Sequence, residues 1–142
     1  APTCLGLAIG LALGGHLLVS AGLTRGYRVR SDGLGAWLAA VAYDVGANVP
    51  SSELAFRGVL FDRLVRRAPL VAATAVTTGV YLVRYLVDPR LPLHVETVAG
   101  ALAYLSLLSV ANCWLHWRTG HLAPPLAAAL GFFAAYRALG LP

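Results

Sequence analysis

The chain has 142 residues, of which 58% are hydrophobic and 12% charged, against roughly 45–50% and about 25% in a soluble domain. That balance excludes a disordered chain, and two cysteines, Cys4 and Cys113, are too few for a disulfide scaffold or a zinc ribbon. The net charge of +5 comes from 11 basic residues, all arginine, and 6 acidic ones. The arginines cluster as Arg25, Arg28 and Arg30, and as Arg63, Arg66 and Arg67, between apolar runs. This is the pattern of membrane-span flanks rather than of a nucleic-acid stripe, and no nucleic-acid partner is expected.

The first apolar run, Pro2 to Leu23, is long enough to cross a hydrocarbon core of about 30 Å. Gly6, Gly10 and Gly14 recur every four residues, a spacing that lets another helix approach closely. His16 in this run reads as a packing residue. A polar, basic loop from Thr24 to Gly33 follows. The second run, Leu34 to Val49, meets Pro50, Ser51, Ser52 and Glu53 and resumes from Leu54 to Val65. A single long helix kinked at Pro50 is favoured over a span followed by a shorter helix capped by Ser51 or Ser52. The third run is Ala68 to Val87, with Pro69 in its first turn. A turn at Asp88-Pro89-Arg90-Leu91-Pro92 leads to the fourth run, His94 to Trp117, whose indoles Trp114 and Trp117 suit a headgroup layer. The last run is Leu122 to Leu139. The expectation is an all-α fold, a polytopic helical transmembrane bundle of five spans, or six if Pro50 divides one. It would be one integral membrane domain over residues 1–142. Abundant Ala, Gly, Leu and Arg without Lys points to a prokaryotic cell membrane, with the Arg63–Arg67 cluster and Arg118 on the cytoplasmic face.

Ionisable residues inside apolar runs are expensive and mark candidate sites. Asp44, Asn48 and Ser52 fall on one helix face. Glu53 and Arg57 are four apart with the acid first, the favourable order for an ion pair. Tyr81 and Tyr85 share a face beside Arg84. Ser109 and Asn112 are placed to bond between helices. His116 and His121, five apart across a turn, make no metal signature, and neither a metal nor another cofactor is expected.

The segment Ser52-Glu53-Leu54-Ala55-Phe56-Arg57-Gly58 resembles the Glu-Glu-x-x-Phe-Arg-Gly motif of the CAAX protease and bacteriocin-processing family (CPBP, or Abi), which are intramembrane peptidases. Arg118-Thr119-Gly120-His121-Leu122-Ala123-Pro124-Pro125 is similar to the family's Arg-Thr-Gly-Ser-Leu-Trp-x-Pro segment. The resemblance covers about residues 35–135. It implies peptide-bond hydrolysis within or near the membrane, with a motif glutamate activating water and histidines on two later helices assisting. The chain departs from that pattern. Ser52 stands at the first glutamate. Tyr81 and Tyr85 fall on the Phe-x-x-x-His motif, with Tyr85 at the histidine. Ala129 and Phe133 fall on the last His-x-x-x-Asn/Asp motif. The resemblance leaves Glu53 as base, Arg57 beside it and Tyr85 as hydrogen-bond donor in a rearranged site. The departures otherwise imply an impaired or inactive peptidase; the alternative is a non-catalytic membrane binding or accessory protein. The partners to match are membrane lipid, a peptide or lipidated-peptide substrate, and a membrane-protein partner.

Overall fold

The computed structural model describes residues 2–25, 33–87 and 95–138. The predicted loop at Thr24–Gly33 with Arg28 and Arg30, and the turn at Asp88–Pro92, lie outside the described residues, apart from the ends of the former.

Five joined helices make up the described chain. Helix α1 is Pro2–Arg25. Helix α2 runs without a break over residues 34–65. Helix α3 is Leu70–Leu86, α4 is Val95–Thr119 and α5 is Ala123–Tyr136. The second run is thus one continuous helix rather than a span followed by a separate shorter one, and it is of mixed winding. Two π-helical stretches, Asp44–Asn48 and Leu54–Phe61, enclose the short α-helical piece Val49–Glu53 with Pro50 at its start. Wider turns of this kind are uncommon and often occur at functional sites. Here Glu53 ends the α-helical piece and Arg57 lies within the second π-helical stretch.

The expected five or six membrane spans are not what the structure gives. Among the described residues two stretches are long and apolar enough to cross a membrane, Pro2–Leu23 and Val98–Thr119. Helices α3 and α5 have 17 and 14 residues, a rise of roughly 26 and 21 Å against a core of about 30 Å. Residues 34–65 are long enough but carry Asp44, Glu53, Arg57, Asp62 and Arg63. Counting apolar runs gave too many spans because it joined helices to their flanking turns.

The glycines of α1 explain its closest contact. A β-carbon on Gly6 would collide with the Pro124 main chain, one on Gly10 would lie 2.9 Å from Ala128 Cα, and one on Gly14 would lie 2.6 Å from Ala135 Cβ. The small-residue face is therefore occupied within the chain by α5, which returns the favour at Gly131. Helix α4 lies against every other helix. At its middle Tyr104 Oη meets His16 Nδ1 at 2.6 Å and Ser20 Oγ at 2.9 Å, so His16 has the bonded, structural place expected of it.

The main core joins α2 to α5 through Phe56, Tyr81, Leu105, Leu108, Leu115, Ala128 and Phe132. Phe61, Ala73 and Cys113 form a second cluster nearer the α2–α3 turn. That turn is held by Arg67 N and Ala68 N, both donating to Leu64 O. The α4–α5 turn uses Gly120, whose φ of 73° suits glycine. Its N–H caps His116 O at 2.8 Å.

Candidate functional site

The motif residues are built into two adjoining polar networks. The first is buried where α2, α3 and α4 meet. Glu53 and Arg57 lie on successive turns of α2, and both are essentially inaccessible, at 1% and 0% exposure. Arg57 Nη1 donates to Glu53 Oε1 at 3.1 Å, and Nη2 donates to Ser109 Oγ at 2.8 Å. Asn112 Nδ2 donates to the same Glu53 Oε1 at 3.0 Å. Thr78 Oγ1 and Ser109 Oγ lie 3.0 Å apart. The Arg57 guanidinium carbon sits 4.8 Å from the Tyr81 ring centroid, a cation–π contact.

Each member answers a cost created by another. An uncompensated buried charge is far more expensive than a buried pair, so the carboxylate and guanidinium are kept together. Arg57 carries more donors than Glu53 accepts, and Ser109 takes one of them. Several atoms still lack a partner among the described residues: Glu53 Oε2, Arg57 Nε, Asn112 Oδ1, Thr77 Oγ1 and His116 Nδ1.

The second network runs along the neighbouring face. Ser52 Oγ donates to Asn48 O at 2.6 Å and accepts from Arg84 Nη1 at 2.9 Å. Arg84 Nη2 also reaches Asn48 Oδ1 at 3.3 Å. Asn48 Nδ2 donates to Asp44 Oδ1 at 2.9 Å. Asp44, 1% exposed, receives a two-pronged contact from Arg137, with Nε to Oδ2 at 2.8 Å and Nη2 to Oδ1 at 3.1 Å. Forked pairing of this type is strong and directional. Hydrogen bonding to that carboxylate pushes the Arg137 guanidinium up from its ordinary value, against the opposing effect of burial.

Lower on the bundle, His116 Nε2 meets Asp62 Oδ1 at 3.0 Å. The imidazole is 5% exposed, whereas Asp62 is partly open to solvent. The Phe61 ring lies edge-on to it, with centroids 6.2 Å apart.

The predicted residues are therefore distributed as follows. Glu53 and Arg57 meet directly. Tyr81 supplies the ring over Arg57. Tyr85 approaches Tyr136 Oη at 3.4 Å and packs against the main core. Ser52 links to Arg84. Ala129 is buried in α5, while Phe133 packs on Phe132 and Tyr136. Sequence reasoning gave Asn112 and Ser109 the right kind of contact, between helices, without finding their partners. It did not foresee Asp62 with His116 or Asp44 with Arg137. Both pairs join residues far apart in the chain, and spacing carries no signal for them. Among the described residues no three His, Cys, Asp or Glu side chains are grouped to hold a metal ion.

Comparison with known proteins agrees with the motif. No curated protein and no solved structure matches the chain. The sequence profile described as Type II CAAX prenyl endopeptidase Rce1-like matches residues 34–132, from the first residue of α2 to within α5. The match spans well over half of the chain and takes in the first polar network and all of the second but Arg137, and the chain belongs to this Rce1-like CAAX-protease family.

Proposed function

We propose that this chain is a membrane-seated, non-catalytic member of the family that acts as a binding or accessory protein. In it the motif glutamate and arginine have become a structural brace. One observation carries the reading: Glu53 Oε1 accepts from both Arg57 and Asn112 in a site from which solvent is almost entirely shut out. A general base must reach the water it deprotonates. The substitutions point the same way. Tyr85 and Ala129 stand at the two histidine positions, and neither side chain offers an imidazole. Membrane residence is supported by the two long apolar helices, whose span-length stretches are only 22% and 33% buried. Leu5, Leu11, Val19, Leu23 and Leu107 face outward from them. A core helix of a water-soluble domain would bury most of that surface.

The test is proteolysis by the full chain reconstituted in vesicles, with a prenylated peptide ending in a CAAX sequence as substrate. Cleavage should not exceed that of empty vesicles, and Glu53→Gln should change nothing. Cleavage by the wild-type chain that Glu53→Gln abolishes refutes the reading.

A second reading has an observation of its own. Glu53 Oε2, Asn112 Oδ1 and His116 Nδ1 are buried polar atoms without partners among the described residues. A water admitted beside Glu53 Oε2 would give a rearranged peptidase its nucleophile, with Glu53 as base. In that case the same assay gives Glu53-dependent turnover.

A further inference from the structure

The end of α2 carries a feature that the buried networks do not use. A cavity of about 380 Å³ is lined by Gly58, Val59, Asp62, Arg63, Arg66 and Arg67. Its size is at the small end of ligand pockets, which run about 300–1,000 Å³. The three arginines are exposed. Among the described residues their guanidinium groups have no ion pair or hydrogen bond. Arg63 lies in the last turn of α2, and Arg66 and Arg67 lie in the turn that follows it. Asp62, the one acidic residue in the wall, is already engaged with His116 Nε2. The cavity thus gathers three positive charges and one negative charge, with no counter-ion for the excess among the described residues. Planar guanidinium groups match the oxygen geometry of a phosphate.

The neighbouring helix indicates where such a phosphate comes from. The Asp62–His116 contact ties the cavity wall to the last turns of α4. On those turns Trp114 and Trp117 are 43% and 50% exposed. Exposed indoles at the end of a span-length apolar helix mark the headgroup level of a bilayer. Basic side chains at that level attract anionic lipid. We infer that the cavity bounded by Asp62, Arg63, Arg66 and Arg67 is a binding site for the phosphate of an anionic lipid headgroup. The inference rests on the membrane part of the proposed function and is independent of whether Glu53 catalyses.

The experiment uses the full chain reconstituted in phosphatidylcholine vesicles with and without phosphatidylglycerol. An alkaline wash reads insertion, and native mass spectrometry reads the lipid retained. Wild type should stay inserted and retain phosphatidylglycerol in preference to phosphatidylcholine. Exchanging Arg63, Arg66 and Arg67 for Gln one at a time should weaken that preference roughly fivefold each. Asp62→Asn, which removes the opposing charge and keeps a polar partner for His116, should strengthen it. Inorganic phosphate added to the detergent-solubilised protein should not displace the lipid. Insertion without lipid preference, or preference indifferent to all four exchanges, overturns the site and leaves the membrane reading standing. Complete displacement by inorganic phosphate overturns the lipid source and assigns the site to free phosphate. Loss of the wild-type chain in the alkaline wash overturns the membrane reading itself, and the lipid source with it.

Discussion

Arg57→Met is the most informative perturbation of the buried brace. The guanidinium is 0% exposed, and its removal deletes the 3.1 Å bond to Glu53, the 2.8 Å bond to Ser109 and the 4.8 Å contact with Tyr81. Met fills much of the vacated volume, so the loss is electrostatic rather than a cavity. Glu53 keeps Asn112 as its remaining partner, at 3.0 Å. Breaking a buried pair from one side costs about 3–5 kcal/mol. The double variant Glu53→Leu with Arg57→Met removes both charges together. It should recover all but the about 1–3 kcal/mol that Asn112 loses with its acceptor. Ser109 and Thr78 continue to satisfy each other at 3.0 Å. Reversible unfolding in mixed detergent micelles, run as a double-mutant cycle, measures the coupling. Arg57→Met within about 1 kcal/mol of wild type, or single losses that simply add, would refute the brace.

Three further outcomes follow from the geometry. Arg137→Ala leaves the Asp44 carboxylate buried with Asn48 as its remaining partner, and should cost about 2 kcal/mol, at the low end because the guanidinium is itself partly exposed. Chemical unfolding reads it, and no loss at all would contradict the forked contact. Gly10→Ala and Gly15→Ala should have opposite signs in the same assay. The first drives a β-carbon into Ala128 and destabilises by about 1–3 kcal/mol. The second meets open space and gains up to about 1 kcal/mol of helix propensity. Ser52→Ala removes the anchor of Arg84 and should cost about 0.5–1.5 kcal/mol. An unchanged unfolding curve would show that Asn48 alone holds Arg84.

The helical class and the position of each helix could be read from the sequence, because apolar runs broken by Pro, Gly and Arg report directly on element boundaries. The pairing of Glu53 with Arg57 was equally legible, since both lie on one helix at a spacing that forces them together. The number of spans was not. Ala68 to Val87 reads as a span when counted with its turns, whereas α3 itself is shorter. The partners of the motif were hidden for a different reason. Asn112 and Ser109 reach α2 only after α4 has packed against it, and a one-dimensional pattern holds no record of that docking. Tyr81 shows the limit most clearly. The motif match sets it at a phenylalanine, and nothing in that match announces the guanidinium that the face of its ring receives.

The seating of Gly6, Gly10 and Gly14 on α5 has a consequence for biogenesis. During synthesis the amino-terminal helix emerges well before the segment that will bury its glycines, since domains form from the N-terminal side as the ribosome proceeds. Until Pro124 and Ala128 arrive, that groove stands open while α2, α3 and α4 are already free to assemble. Closure by partners so distant in the chain carries a loop-entropy cost that local helix contacts do not.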